Sequence, residues 1–309
     1  MAGADSWAAT PAGASLRRVR TSMLDCACEE WGDPAGRPAV LLHGFPYDPR
    51  AYDEVAPALA AEGLRVIVPY LRGYGPTRFL REDQPRSGEQ AALATDLIDL
   101  IEALDLSGAI LVGYDWGGRA ACIAAATRPD RVAGLVTGGG YNIFGPGGRY
   151  HAFDAETAHR MWYAYLLQGP AGANLFAHDP VGFSRYIWGL WSPTWQGAEE
   201  AFARSAESFR NPDYAAVVIH SYRHRAGLVD GDPQVAKLAR SLEDRPVIGV
   251  PTVVLCGGDD TVQPPASTTG DERLARLVER RVLPGVGHNI PQEAPGAVAE
   301  AVRRLAEMG

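Results

Sequence analysis

Apolar residues along this chain form short runs, rich in β-branched side chains, that alternate with segments of helical character. The runs cover residues 38–42, 65–69, 109–113, 132–137, 252–256 and 281–283. Short, continuous apolar runs are typical of strands that are buried on both faces of a sheet. The segments between them include an alanine-rich stretch at 119–127 and a C-terminal stretch at 294–308, which we predict to be helices. This alternation predicts an α/β fold with a mainly parallel sheet.

The alternation is interrupted between residues 141 and 248. This segment is helical in pattern and rich in aromatic residues: Trp162, Tyr163, Tyr165, Phe183, Tyr186, Trp188, Trp191, Trp195, Tyr214 and Tyr222. A structureless insert of about 100 residues is uncommon in a compact fold. We therefore predict a helical cap over 141–248, an α/β core formed by 16–140 and 249–309, and a flexible N-terminal tail over 1–15.

A carboxylate follows the predicted strand 109–113. Asp115 stands between Gly113 and Gly117, where the strand turns into the predicted helix. The glycines permit a tight turn that pushes the Asp115 side chain out at the carboxyl end of the strand, beside a helix N-terminus that favours negative charge. Gly-x-Asp-x-Gly in this position matches a nucleophile elbow with Asp in place of Ser. Asp115 is the candidate nucleophile; the alternative is that it only caps the helix.

A carboxylate nucleophile needs a base that activates water and an acid that orients the base. His288 lies on a glycine-rich loop after the last predicted strand, and two adjacent carboxylates, Asp259 and Asp260, follow the strand 252–256. The pattern Gly-x-x-Asp followed four residues later by proline favours Asp260. The order nucleophile, acid, histidine predicts a triad of Asp115, Asp260 and His288.

Three motifs together resemble the α/β-hydrolase superfamily, and within it the epoxide hydrolases most closely. They are His-Gly-Phe-Pro at 43–46, the Asp-Trp-Gly elbow at 115–117, and Arg-Gly-Tyr-Gly at 72–75, in which Thr77 stands where the family usually has Ser. The resemblance runs from about residue 38 to 295. It implies an α/β-hydrolase fold with a helical cap, no metal or organic cofactor, and an oxyanion site made by the backbone amides of Phe45 and Trp116.

The resemblance also implies two proton-donating tyrosines in the cap. Epoxide opening leaves an alkoxide, so an acid must protonate the ring oxygen. Epoxide hydrolases use one tyrosine in an aromatic segment that contains Gln and one in a Tyr-Arg stretch, which point to Tyr163 and Tyr222. Trp162 and Tyr165 are alternatives to Tyr163, and packing in the core is an alternative role for each aromatic residue of the cap. Trp162 and Trp188 are candidate substrate-binding residues, and the aromatic cap favours an apolar, ring-containing epoxide.

Two other functions stay open. A dehalogenase would use the same Asp nucleophile and the same ester. Haloalkane dehalogenases commonly carry Asn where this chain has Phe45, and fluoroacetate-type dehalogenases usually carry Arg where it has Trp116. A ligand-binding protein without activity on the hydrolase scaffold is the third possibility, and the presence of all three triad members argues against it.

Composition agrees with an enzyme that acts on a small molecule. The net charge of −8 and the absence of basic clusters disfavour nucleic acid and anionic membranes as partners. The chain has no basic N-terminal segment leading into an apolar run and no apolar stretch of about 18 residues, so we expect neither a signal peptide nor a membrane span. Four cysteines without a disulfide framework predict a reduced, cytoplasmic protein. The sequence leaves the oligomeric state and the stereochemistry open.

Overall fold

The computed structural model describes residues 10–145 and 154–308. Within these residues nine strands form one sheet: β1 (Ser15–Arg20), β2 (Leu24–Trp31), β3 (Arg37–Leu42), β4 (Leu64–Pro69), β5 (Arg78–Phe79), β6 (Ala109–Gly113), β7 (Val132–Gly138), β8 (Thr252–Gly257) and β9 (Leu277–Leu283). The strand order is β1-β2-β4-β3-β6-β7-β8-β9, and β5 pairs with β2. Strand β2 is antiparallel to its neighbours, whereas every pair from β4 to β9 along this order is parallel. The predicted mainly parallel α/β fold is confirmed.

The centre of the sheet is apolar because helices cover it. Every residue of β6 and β8 is buried, as expected for parallel strands covered on both faces. Five helices of the described residues accompany the sheet outside the segment between β7 and β8: α1 (Val55–Ala61), α2 (Gln90–Ala103), α3 (Asp115–Thr127), α11 (Ile290–Glu293) and α12 (Pro295–Ala306). Helix α3 packs against α2, β6 and β7, and α12 packs against α1 and β7. This framework holds the loops at the carboxyl ends of β3, β6, β8 and β9 next to one another.

Seven helices of the described residues lie between β7 and β8: α4 (Ala155–Arg160), α5 (Trp162–Leu166), α6 (Pro170–His178), α7 (Pro180–Trp191), α8 (Ala198–Ser205), α9 (Tyr214–Arg225) and α10 (Ala236–Ser241). Helices α6, α7, α8 and α9 all contact the loop after β3. The Trp188 indole of α7 donates a hydrogen bond to the Pro46 carbonyl at 2.5 Å, and the Tyr222 ring of α9 contacts the Phe45 ring. Helix α10 instead contacts α2. The domain limits at 140 and 248 stay a prediction.

Two parts of the sequence-based description need comment. Strand β1 has no apolar run to mark it, because it is an edge strand with Val19 as its one buried residue. Of the predicted flexible tail, residues 1–9 lie outside the described residues, as do residues 146–153 of the predicted cap. All four cysteines are buried and free. In the described part of the chain, no helix is long and apolar enough to cross a membrane.

Candidate active site

The turn between β6 and α3 presents Asp115. Tyr114 is extended, and Asp115 then adopts a left-handed backbone conformation with φ of 49° at the start of α3. This conformation is strained for a residue other than glycine. A Cβ atom at Gly113 would lie 2.4 Å from the Gly117 carbonyl oxygen, and one at Gly117 would lie 2.2 Å from the Leu42 carbonyl oxygen. Both glycines are therefore required, and the turn directs Asp115 toward the loop after β3.

The two carboxylate oxygens of Asp115 have different surroundings. Oδ1 accepts a hydrogen bond from the Phe45 amide at 2.9 Å. Oδ2 lies 3.8 Å from Nε2 of His288 and 3.6 Å from a guanidinium nitrogen of Arg119. Burial acts to raise the pKa of Asp115, but Arg119, His288 and the Phe45 amide outweigh it and hold the pKa at about 2. The carboxylate is ionised, with Oδ2 turned toward the base.

His288 is oriented by Asp260. Its Nδ1 lies 2.8 Å from Oδ2 of Asp260, whose Oδ1 accepts the amides of Val262 and Gln263 at 2.7 and 2.8 Å. Burial acts to lower the pKa of His288, but the two carboxylates on either side outweigh it and raise the pKa to about 10. Asp259, the alternative acid, is half-buried. The structure therefore brings the predicted acid and base together, with His288 as an imidazolium between two carboxylates.

The loop that carries His288 is held by a carboxylate that the sequence analysis missed. Glu293 accepts the amides of Gly287 and Asn289 at 2.6 and 3.0 Å and the Ser192 hydroxyl at 2.6 Å. Ser192, which follows α7, accepts the His288 amide at 3.2 Å. The fit is close, because a Cβ atom at Gly287 would lie 2.7 Å from Cα of Ser192. A carboxylate a few residues after a glycine-rich loop, at the end of the short helix α11, was the available signal.

His43 of the His-Gly-Phe-Pro motif fixes the loop that carries the Phe45 amide. Its Nδ1 lies 3.0 Å from the Gly44 carbonyl oxygen, and its Nε2 lies 3.1 Å from the Leu71 amide. Burial lowers the pKa of His43 to about 4, so the ring is neutral. In this state Nδ1 donates to Gly44 and Nε2 accepts from Leu71. The ring thereby ties the loop after β3 to the loop after β4.

The Arg-Gly-Tyr-Gly stretch has a structural role. Buried Arg72 pairs with both carboxylate oxygens of Asp96 on α2, at 2.6 and 2.7 Å. The Thr77 hydroxyl donates to the Tyr70 carbonyl at 2.8 Å and accepts the Ala27 amide at 3.1 Å. A serine hydroxyl makes the same two bonds, which accounts for threonine in this place.

The two predicted tyrosines lie side by side. Tyr163 and Tyr222 are both 2% exposed, and their rings meet edge to face with centroids 5.6 Å apart. Tyr222 also contacts the Phe45 ring at 5.7 Å, and Tyr163 contacts Trp191 at 5.1 Å. The Trp191 ring in turn lies 5.0 Å from the His288 ring. We call the rings of Phe45, Tyr163, Trp191 and Tyr222 the aromatic wall. It faces the triad, and both tyrosines belong to it.

The other aromatic candidates are placed differently. The Trp162 ring packs on Phe183 and Tyr186 as well as on Tyr163, and none of its ring contacts in the described residues reaches the triad. Tyr165 is 42% exposed. Trp188 packs on the Tyr47 ring at 4.8 Å besides bonding to the loop after β3. Trp188 thus holds helix α7 on that loop.

Trp116 packs against the aromatic wall. It is buried, and its ring stacks on Phe45 with centroids 5.6 Å apart. Its backbone amide is in the first turn of α3, where amides have no partner within the helix. Its indole N–H has no hydrogen-bond partner among the described residues. Trp116 therefore supplies two donors: a backbone amide next to Asp115 and an indole N–H whose ring packs on Phe45.

Arg119 is the second residue that the sequence analysis missed. It lies four residues after Asp115, one turn further on α3, and its side chain is buried. Its guanidinium carbon lies 4.9 Å from the centre of the Phe144 ring. The spacing of a cation four residues after the candidate nucleophile was the signal in the sequence. For metal ions, no group of three or more His, Cys, Asp and Glu residues in the described ranges is arranged to hold one.

Comparisons with known proteins agree with this geometry. The sequence profile of the α/β-hydrolase fold family matches residues 38–295. The chain is 27% identical to epoxide hydrolase A of Mycobacterium tuberculosis H37Rv, over 93% of this chain and 95% of the relative. It is 30% identical to a fluoroacetate dehalogenase from a Burkholderia species, over 62% of this chain and 63% of the relative. A crystal structure of a candidate epoxide hydrolase from Klebsiella pneumoniae superposes with a TM-score of 0.90 and 39% identity, covering 94% of this chain and 97% of that one.

Proposed function

The chain belongs to the α/β-hydrolase fold family, in which it is an epoxide hydrolase-like enzyme, and we propose that it converts an epoxide to a vicinal diol through a covalent ester on Asp115. One observation carries this proposal. The Phe45 amide holds Oδ1 of Asp115, while Oδ2 faces the imidazole of His288. An ionised carboxylate held in this way is a suitable nucleophile. In the ester that it forms, the Phe45 amide is already placed to donate to the carbonyl oxygen, and His288 is placed to act as the base.

In the first step, Oδ2 of Asp115 attacks a ring carbon, and the bond between that carbon and the ring oxygen breaks. The ring oxygen takes the hydroxyl proton of Tyr222 or Tyr163, which supplies the acid that a poor leaving group requires. The products of the step are an alkyl ester on Asp115 and a tyrosinate. The imidazolium of His288 returns a proton to the tyrosinate, so that the histidine becomes neutral.

In the second step, water attacks the ester carbonyl carbon and gives a proton to Nε2 of His288. The negative charge develops on Oδ1, where the amides of Phe45 and Trp116 stabilise it. The ester bond then breaks, and the proton of the new carboxylic acid passes to the departing diol oxygen. The enzyme returns to an ionised Asp115 and a protonated His288, so protons balance over the cycle.

Loss of the negative charge of Asp115 in the ester helps the second step. In the resting enzyme two carboxylates hold the pKa of His288 high. Ester formation removes one of them, so the pKa of His288 falls and the neutral base becomes accessible. His288 is therefore protonated in the resting enzyme, and after alkylation it can hold the neutral form that accepts a proton from water.

A panel of epoxides and haloalkanes tests the proposed function. Purified enzyme should form vicinal diols from epoxides, and His288→Gln should accumulate an ester that intact-mass analysis detects as an adduct of substrate mass. Tyr222→Phe should slow ester formation about 10²-fold, the usual size of a general-acid contribution, and Tyr163→Phe with Tyr222→Phe should leave almost none. Epoxide turnover that survives in the double variant would place the acid elsewhere.

Dehalogenation is the second candidate function, because of the Trp116 indole. A buried N–H without a partner among the described residues is a donor available to a departing halide. A relative that is 30% identical is a fluoroacetate dehalogenase. Halide departure needs no proton, so Tyr163→Phe with Tyr222→Phe should leave it largely intact. Halide release from the panel without any diol from the epoxides would replace the proposed function by this one.

A further inference from the structure

His220 is a half-buried histidine that the ester cycle does not use. It belongs to helix α9, two positions before Tyr222, which is about 200° around the helix axis. Tyr222 contacts the Phe45 ring in the aromatic wall, so the His220 ring projects from the opposite side of the helix. His220 therefore lies behind the proposed acid as seen from the active site.

The imidazole of His220 joins α9 to two other segments. Its Nδ1 lies 3.1 Å from the Gly88 amide nitrogen, and its Nε2 lies 3.1 Å from the Asp230 carbonyl oxygen. An amide N–H donates and a carbonyl oxygen accepts, so Nδ1 is the acceptor and Nε2 is the donor. Both bonds form only when the ring is neutral.

Gly88 lies directly against the backbone of α9. A Cβ atom at Gly88 would lie 2.3 Å from the Val217 carbonyl oxygen and 2.8 Å from Cβ of Ser221. The segment that contains Gly88 is itself fixed, because buried Arg72 donates to the Ser87 carbonyl at 2.8 Å and pairs with α2. The segment before α2 is thus a rigid surface on which α9 rests, and His220 bonds to it.

The charged and titratable groups that face His220 in the described residues come from three elements. His224 lies one turn further on α9, with its ring stacked on that of His220 at 5.7 Å between centroids. Glu89 lies before α2, 3.6 Å from His224, and Arg72 lies in the loop after β4. Burial lowers the pKa of His220 below its ordinary value of 6.5, and the charges of His224 and Arg72 act in the same direction. Glu89 and the Asp230 carbonyl act in the opposite direction without outweighing them.

Protonation of His220 removes the bond to the segment before α2. A proton on Nδ1 points at the Gly88 N–H, so the acceptor is lost and two donors face each other. The contact that holds α9 from behind is then weakened. Because Tyr222 lies on the other side of the same helix turn, its hydroxyl loses its fixed position relative to Asp115.

We propose that His220 is a positioning residue for Tyr222: in its neutral form it holds α9 against Gly88, and protonation breaks this contact and slows opening of the epoxide ring. The inference rests on the proposed epoxide hydrolysis, with Tyr222 as a proton donor. It makes ester formation sensitive to acid and leaves hydrolysis of the ester, which depends on His288, to the groups already described.

The rate of ester formation as a function of pH tests this assignment. The reference protein carries His288→Gln, so that the ester accumulates, and is used in excess over styrene oxide. Intact-mass analysis follows the adduct between pH 8 and pH 5. The rate should fall on the acid side by up to about 10-fold, as for a small misplacement of a reacting group. The midpoint of the fall should coincide with the pKa of His220 measured by NMR of the imidazole nitrogens.

Substitutions at His220 in the reference protein separate its two roles. His220→Asn keeps an acceptor near the position of Nδ1 and does not titrate, so it should keep the reference rate at pH 8 and lose less of it at pH 5. His220→Ala has no acceptor and should be about 10-fold slower at both pH values. His178→Asn, at an exposed histidine of α6, is the control and should follow the reference protein. Asp48 titrates in every one of these proteins, so the differences between them carry the test.

The outcomes distinguish failure of this inference from failure of the proposed function. An acid-side fall in His220→Asn equal to that of the reference protein would refute the positioning role, as would a reference rate for His220→Ala at pH 8. A fall that disappears in His224→Asn would assign the acid sensitivity to His224 instead. If neither styrene oxide nor any other epoxide formed an ester with the reference protein, epoxide hydrolysis through the ester would itself fall. Circular dichroism at each pH checks the fold of each variant.

Discussion

Asp115 and His288 have opposite charges in the resting site, and each stabilises the charge of the other. The pKa of Asp115 is held at about 2, and that of His288 is raised to about 10. A histidine with this pKa is almost entirely protonated near neutral pH, so it could not accept a proton from water if its surroundings stayed constant. The proposed ester changes them, so at the scale of the residue the mechanism depends on the loss of one negative charge.

The pKa of His288 should therefore fall when Asp115 is made neutral. Asp115→Asn imitates the uncharged ester and removes one of the two carboxylates that raise the pKa. Titration of the imidazole nitrogens by NMR should give a pKa clearly below that of the wild type. Asp259→Asn is the matched control and should leave the titration unchanged. An identical titration in Asp115→Asn and wild type would contradict the proposed coupling.

Single residues of the site were predictable where they stand at the end of a strand. Asp115, Asp260 and His288 each follow a recognisable strand, and the structure brings them together; their roles stay proposals. Arg119 and Glu293 belong to helices, where a charge is ordinarily solvated, so the spacing signals at these two positions did not by themselves distinguish them from surface charges. Whether these two charges face the site depends on which side of each helix is buried, and tertiary packing decides that.

At the scale of elements, the sequence predicted which helices and strands exist better than it predicted where each one begins and ends. Helix α3 begins at Asp115, not at residue 119, because it includes Gly117 and Gly118. Glycine has low helix propensity, so the sequence placed the start too late. The glycines are needed because the helix packs against the loop after β3, and this packing overrides their propensity. The early start puts the first-turn amides beside Asp115.

The loop between β9 and α11 depends on Glu293. Glu293→Gln keeps the size of the side chain but removes the charge that accepts three donors, so His288 should be less well oriented. We expect hydrolysis of the ester to slow about 10- to 100-fold, as for a small misplacement of a reacting group, and ester formation to change less. Intact-mass analysis during turnover should then detect the ester. Glu300→Gln, at a surface pair with Arg281, is the control. Equal slowing of both steps would indicate a general loss of structure.

At the scale of the whole molecule, buried polar contacts join the helical insert to the sheet domain. Asp48, in the loop after β3, accepts the Ser205 hydroxyl of α8 at 2.6 Å and the Arg50 amide at 3.1 Å. Burial raises the pKa of Asp48 to about 7, although Arg50 and Ser205 act in the opposite direction. The sequence contained no sign of this contact, because the two residues are 157 positions apart.

Asp48 should make stability depend on pH. Its folded pKa is about 7 and its ordinary value is 3.8, so between these values the folded protein binds more protons than the unfolded chain. The contribution of Asp48 to the free energy of unfolding, measured as the difference between wild type and Asp48→Asn, should therefore fall as pH rises from about 4 to 7 and then level off. Asp48→Asn should remove this decrease and be the more stable protein at pH 8, by at most about 4 kcal/mol. Urea unfolding at pH 5 and pH 8 measures it, with Glu54→Gln on the exposed surface as the control. A difference in stability between wild type and Asp48→Asn that does not change over this range would contradict the burial of an ionised Asp48.

The covalent ester on Asp115 is the central claim, and a single turnover in ¹⁸O-labelled water tests it most directly. Enzyme in excess over substrate should release a first diol without label, because the oxygen added to the substrate comes from Asp115. The label should appear in the Asp115 carboxylate, where mass spectrometry of the peptide that contains residues 113–119 detects it. Label in the first diol, with none in that peptide, would mean direct attack by water and would contradict the proposed mechanism.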